Sequence, residues 1–328
     1  LKVNRIEVCS AKVSAGEQQA FARICEWAAS NGHLDAIEAL GFVDGTISVD
    51  WIWNAGGRGL NLLTKGSINH LTHQLRKTPQ EHLNDILRVI EYADSKGMAV
   101  NLYMEDWSNG MLHSPDYVHF MVEGLRKANV KRFMLPATLG ILNPTQTYEL
   151  CRIMVEKYPE LHFDFHAHND YDLAAANVYE ALRAGVHGVH VTVNGLGERA
   201  GNVPVSSVVG ILNDHLKLEN SLEEKNLTHV CRMVESMSGI RIPANKPLVG
   251  ESVFTQTSGV HADGDKKGGL YENDLMPERF GRVREYALGK TSGKANIMKN
   301  LEALGINLTP EQMKLVTARV VELGDRKE

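Results

Sequence analysis

An alternation constrains this chain most: short β-rich runs recur at 5–9, 37–43, 60–64, 99–104, 132–136, 162–166 and 188–193, with amphipathic helical stretches between them. The helix starts are marked. Ser14 with Glu17 has the form of a capping box, and Thr78-Pro79, Ser114-Pro115 and Asn143-Pro144 each set a capping side chain before a proline at the first helical position. Inside these stretches the apolar residues fall at helical spacing, as in Phe21, Ile24, Cys25 and Ala28, or Leu83, Ile86, Leu87 and Ile90. Such stripes pack on a sheet. Strand and helix in strict alternation mean a parallel sheet with right-handed crossovers, either an open doubly wound sheet or a closed (β/α)8 barrel. No Gly-x-Gly-x-x-Gly follows the first run, which disfavours the dinucleotide-binding form, so an α/β TIM barrel is expected over residues 1–213. Only seven runs are visible, and a barrel short of one strand exposes two edges of a buried sheet. One βα unit is therefore expected to be missing before Leu1. After about Asn213 the alternation stops, and 214–328 reads as a smaller, mostly helical domain with a last helix from Thr309-Pro310.

Composition excludes several functions. A net charge of -5 gives no general attraction for nucleic acid or acidic membranes, and no apolar run approaches the ~20 residues that span a bilayer. Cys9, Cys25, Cys151 and Cys231 are scattered without Cys-x-x-Cys spacing, so reduced thiols are expected rather than disulfides or a thiolate zinc site. The opening Leu1-Lys2-Val3 has no charged n-region or apolar h-region of a signal peptide. A cytoplasmic enzyme of small metabolites fits these limits.

Several segments could carry chemistry. In Phe165-His166-Ala167-His168-Asn169-Asp170, residues two apart on a strand share a face, so His166 and His168 present two imidazoles to one space. At a barrel's C-terminal mouth that pair suits a divalent metal, or else each ring is satisfied by backbone carbonyls. Asn202, closing the turn Asn194-Gly195-Leu196-Gly197-Glu198-Arg199-Ala200-Gly201-Asn202, offers a carbonyl oxygen or caps the helix after Pro204. Tyr103 and Glu105 share a strand face, and Glu105 is an acid or base candidate, with a solvated loop charge as the alternative for Glu105 or Asp106. His261-Ala262-Asp263-Gly264, with Lys266, Lys267, Tyr271, Arg279, Arg282 and Arg284 behind it, reads as a coenzyme-phosphate site or as plain charged surface.

Taken together, Phe165 to Asp170, Asn194 to Asn202 and Ser258-Gly259-Val260-His261-Ala262-Asp263-Gly264 resemble the signature segments of the metal-dependent TIM-barrel synthases that condense acetyl-CoA with a 2-oxoacid. The resemblance runs over essentially the whole chain. It leans to the citramalate synthase type through Leu40-Gly41-Phe42-Val43-Asp44-Gly45, Leu63-Thr64-Lys65-Gly66-Ser67 and Glu105-Asp106-Trp107-Ser108-Asn109-Gly110. It implies a divalent metal (Zn, Mn or Mg) on His166, His168 and Asn202, proton transfer by Glu105 and by His261 with Tyr271 in support, and Thr138 on the 2-oxoacid carboxylate. Leu40, Leu63 and Tyr103 would enclose the substrate's side group, leaving room for the methyl of pyruvate. A cytoplasmic homodimer in isoleucine synthesis is implied, with 2-isopropylmalate and leucine as the alternative.

Two departures stand against the family pattern. Nothing matches its Leu-Arg-Asp-Gly-Glu-Gln motif, whose aspartate binds the metal and whose arginine stabilises the enolate oxygen. Ala137 replaces the aspartate of Asp-Thr-Leu-Gly, and its loss is expected to remove a carboxylate from the barrel mouth. These departures also keep open a non-catalytic binding homologue, and a hydroxymethylglutaryl-CoA lyase on the same barrel is a further reading.

Overall fold

The computed structural model describes residues 1–256, 270 and 273–326. They divide into two compact units, one spanning Lys2–Val208 and the other Val209–Glu328 with Leu1.

The first unit holds a seven-stranded parallel sheet in sequential order: β1 (Ile6–Ser10), β2 (Ile37–Phe42), β3 (Gly59–Lys65), β4 (Ala99–Glu105), β5 (Val130–Ala137), β6 (Phe163–Ala167) and β7 (Gly188–His190). Helices cross over between the strands, and the sheet curls into a half-barrel. Sequential order is the barrel pattern; a doubly wound sheet reverses direction partway. Among the described residues β1 and β7 remain edges.

One face of the sheet is closed by helices, and strand alternation records it. Ala39, Leu62, Leu102, Met104, Phe165 and Ala167 are buried under the helical layer, whereas Leu40, Leu63, Tyr103, Glu105, His166 and His168 on the other face stay partly open. Leu83, Ile86 and Ile90 form the buried stripe of the Pro79–Ser95 helix, as their spacing requires.

Two helix starts hold complete capping boxes, Thr78 with Glu81 and Asn143 with Gln146. Ser14 makes half of one: its Oγ accepts from Glu17 N–H at 3.1 Å without a reciprocal bond. Ser114 does not cap the helix that follows it. Its Oγ accepts from Ile68 N–H at 3.3 Å instead. β7 is shorter than the run 188–193: it ends at His190, Thr192 makes only an isolated bridge to Pro204, and a 3-10 segment with Asn194 at φ 61° begins at Val193.

The second unit carries the helices Leu227–Ser238, Lys294–Leu304 and Pro310–Arg326 and a two-stranded parallel ribbon, β8 (Thr255–Gln256) with β9 (Glu285–Tyr286). Arg279 anchors it by bonds to Glu224 at 2.6 and 2.9 Å and to Asp214 at 2.9 Å. Cys9, Cys25, Cys151 and Cys231 are free thiols, and among the described residues no helix is long and apolar enough to cross a membrane.

Candidate active site

The C-terminal ends of β3 to β7 converge on one mouth, and the register of the sheet decides what enters it. Lys65 pairs with Glu105, Leu63 with Tyr103, and Pro136 with His166, which pairs in turn with His190. Leu40 pairs with Asn61 and sits one pleat deeper than Leu63. Thr138 follows β5 directly.

His166 and His168 lie with ring centroids 5.0 Å apart. An isolated antiparallel bridge joins His168 to Asn202, so the turn after β7 folds back across the end of β6. Glycines permit the close approach. A Cβ at Gly197 would stand 2.2 Å from Asn202 Nδ2, and at Gly201, with φ 83°, it would meet the Gly195 carbonyl at 2.0 Å. The Asn202 amide is oriented by Nδ2 donating to Leu196 O at 3.1 Å. Its Oδ1 accepts no hydrogen bond although buried, and so caps no helix. The Nδ1 atoms of His166 and His168 are likewise buried without a partner.

Buried polar atoms without partners are uncommon in folded proteins. Of thirteen such side-chain atoms among the described residues, three belong to His166, His168 and Asn202, which the ring contact and the bridge bring together, and two imidazole nitrogens with an amide oxygen suit a zinc-like or harder divalent ion. Burial, with His190 and His168 nearby, holds the His166 imidazole well below its ordinary range, and burial lowers His168 as well. Both rings are thus neutral at physiological pH, the form that coordinates metal. Among the described residues no cluster of three or more His, Cys, Asp or Glu side chains joins them, so the local donor set is two nitrogens and one oxygen.

Around this centre the mouth is rigidly tied. Arg199 grips Asp170 with two bonds of 2.7 and 2.9 Å and donates to Thr138 O at 2.8 Å, linking the loops after β5, β6 and β7. The hydrogen bonds from Arg199 hold the Asp170 carboxyl below its usual range. Thr138 Oγ1 accepts from Asp106 N–H at 2.8 Å, which leaves its own O–H free to donate. Asp106 is 1% exposed and left-handed at φ 65°, with bonds from Ser67 at 2.7 Å and Asn109 at 2.8 Å. The solvated-charge alternative fails for Asp106. Glu105 is half-buried and pairs with the Lys65 ammonium.

Below the mouth lies a layer that sequence reasoning missed. Glu7, Asn61, Asn101, Arg132, Asp164 and His190 come from different strands and connect in sequence, with Glu38 also on Arg132. Burial pushes the Asp164 carboxyl up, but hydrogen bonds from His162 and His190 and the Arg132 charge outweigh it, so the group stays ionised. His190 Nε2 therefore donates to Asp164 at 3.4 Å, and its Nδ1 shares a hydrogen bond of 2.9 Å with the Tyr103 hydroxyl.

Two expectations need correction. Ala137 pairs with Ala167 on the face opposite His166 and is wholly buried, so its side chain belongs to the helical layer and not to the mouth. Arg279 is committed to the carboxylates of Glu224 and Asp214, so its guanidinium is not a free phosphate ligand, while Arg282 donates to the Gly250 and Glu251 carbonyls. His261, Lys266, Lys267 and Tyr271 lie outside the described residues.

A sequential parallel sheet with polar side chains gathered at its strand C-termini defines a protein of the α/β-barrel type, whose active centres form at that end. The chain belongs to the HMGL-like family, whose model matches residues 1–234, while a homocitrate synthase post-HMGL domain-like model matches 248–328. It is 33% identical to a putative (R)-citramalate synthase of Methanopyrus kandleri, over 99% of this chain and 62% of that protein. It is 34% identical to a probable 2-isopropylmalate synthase of Ignicoccus hospitalis, over 99% and 79%, and 34% identical to a homocitrate synthase of Sulfolobus acidocaldarius, over 77% and 53%. The chain thus spans between about half and four fifths of these relatives' own length. Among solved structures, hydroxymethylglutaryl-CoA lyase from Pseudomonas aeruginosa aligns with a TM-score of 0.62 at 19% identity, covering 73% of this chain and 82% of that one, a likeness of fold.

Proposed function

We propose that this chain is the catalytic part of an acyltransferase that condenses acetyl-CoA with a 2-oxoacid, with pyruvate as the preferred oxoacid and citramalate as the product. The observation that carries the reading is the trio of partnerless acceptors on His166, His168 and Asn202 at the strand C-termini of a chain from this family. Those residues would hold a divalent ion, zinc, manganese or magnesium, which when bound supplies Lewis-acid polarisation of a ketone and a template for chelation.

The protein's own groups have distinct tasks. Glu105 faces the mouth as a carboxylate able to take up or return a proton. Thr138, its oxygen already accepting from Asp106, donates its hydroxyl proton to the oxoacid carboxylate. His261, supported by Tyr271, is assigned to proton transfer by its motif. Leu63 and Tyr103 are register partners with Leu40 one pleat deeper, and the Tyr103 hydroxyl bonds to His190, which supports a reading in which these three side chains enclose a small, apolar side group. Adding the two carbons of an isopropyl group to such a pocket costs about 1–3 kcal/mol. Four reduced thiols fit a cytoplasmic setting, and a homodimer is part of the same reading.

The naming of the Ignicoccus hospitalis relative favours 2-isopropylmalate synthesis as the second reading. Thiol release from acetyl-CoA by the full-length protein, followed with pyruvate and with 2-oxoisovalerate, separates the two. The expected result is a higher kcat/KM with pyruvate; a higher value with 2-oxoisovalerate replaces citramalate by isopropylmalate.

A further inference from the structure

Lys65 is a buried cation at the mouth of a barrel, and neither the fold nor the donor trio has a use for it. Its side chain is 7% exposed, and its ammonium pairs with Glu105, its register partner on the adjoining strand. Taking an ammonium out of water is costly unless a specific partner holds it.

The backbone around it is fixed with unusual thoroughness. Lys65 N–H donates to His82 Nε2 at 3.1 Å, Lys65 O accepts the Tyr117 hydroxyl at 2.9 Å, and Gly66 N–H donates to Glu105 O at 2.6 Å. Gly66 in turn is pressed so closely that a Cβ there would stand 2.4 Å from the Met104 carbonyl, and Gly110 packs on its other side. Two helices and the neighbouring strand therefore hold one lysine in place. A site whose supporting shell is locked in this way can hold a reacting group to a fraction of an ångström.

We propose that Lys65 is a positioning residue for Glu105: its ammonium fixes the carboxylate in the orientation from which it exchanges a proton with substrate. The inference rests on the condensing function proposed above. A purely structural ion pair would occupy the same place, and the two differ in what removal of the ammonium does. Loss of a structural pair lowers stability and leaves turnover by the folded fraction unchanged. Loss of a positioning cation lowers kcat, spares oxoacid binding, and responds to a substitute cation.

The test uses the full-length protein and its Lys65→Met, Lys65→Gln and Lys65→Arg variants, with kcat and KM measured on folded enzyme and each variant's crystal structure determined. Positioned acid–base groups contribute about 10²–10⁴-fold to rate, and misplacing one is expected to lose at least about tenfold of that. Lys65→Met should lose this in kcat with little change in KM for the oxoacid, Lys65→Arg should recover most of it, and the Glu105 carboxylate should leave its wild-type rotamer in Lys65→Met. Lys65→Gln reads the same way should the methionine variant not fold. Unchanged kcat in the neutral variants, equal loss in Lys65→Arg, or a Glu105 carboxylate that stays in place without the ammonium overturns the proposal. A wild-type protein without oxoacid-dependent thiol release defeats the condensing function instead, and the position of Glu105 in the crystals still decides the role of Lys65.

Discussion

At the residue scale, the donor trio makes a prediction independent of turnover. His168→Ala or Asn202→Ala should weaken manganese or zinc binding, measured by calorimetry, by at least about a hundredfold, beyond the 10–100-fold typical of outer-shell changes. Unaltered affinity in both variants would remove His168 and Asn202 from the proposed metal site. A second prediction follows from His82, which is buried against the Lys65 backbone and pushed down to about 4 by burial and nearby lysines. Its imidazole is neutral when folded, whereas the unfolded chain takes a proton near pH 6.5. Stability linked to His82 is therefore complete above pH 6.5 and falls by up to about 1.4 kcal/mol per pH unit as pH drops from there to about 4. Urea unfolding of wild type and His82→Gln should show the gap between them closing over that window; parallel curves would contradict it. His166, His168 and Glu105 were readable in the sequence because strand alternation places residues two apart on one face. Lys65 and Asp106 were not, since their meaning lies with Glu105, forty residues later in the chain, and with Thr138 and Ser67.

At the element scale, the ends of β3 and β4 and the Trp107–His113 helix pack backbone on backbone. A Cβ at Gly110 would fall 1.9 Å from the Gly66 carbonyl, with neither side a flexible side-chain tip. Gly110→Ala should cost about 1–3 kcal/mol or more of stability, seen as a lower denaturant midpoint. An unchanged midpoint would mean that this junction yields more readily than its packing implies. Helix starts at Thr78 and Asn143 were legible because capping boxes are local. The role of Ser114 is not local, since its hydroxyl serves Ile68, far away in sequence, and the end of β7 at His190, where only an isolated Thr192–Pro204 bridge follows, leaves no signature in hydrophobic pattern. The side-chain direction at Ala137 was misjudged because it depends on pleat register, which the sequence fixes only once the strand's neighbours are known.

At the scale of the whole molecule, the half-barrel rests on a polar floor. Arg132 joins Glu38 and Asp164, all three side chains at most 12% exposed. Removing one member of a buried charge group strands the others, at a cost of about 3–5 kcal/mol, so Arg132→Met should lower the unfolding midpoint sharply. A midpoint within error of wild type would show that water reaches the floor. The sequential sheet was legible from the alternation of strand and helix; the floor was not, because charges on strands usually face solvent and only the curled sheet brings these together. The function proposed above is most directly tested by incubating the full-length protein with acetyl-CoA, carbon-13-labelled pyruvate and a divalent cation, and following the label by NMR. The account predicts that label appears in citramalate, in step with free coenzyme A and dependent on the cation. No labelled condensation product, with 2-oxoisovalerate equally inert in its place, would contradict it.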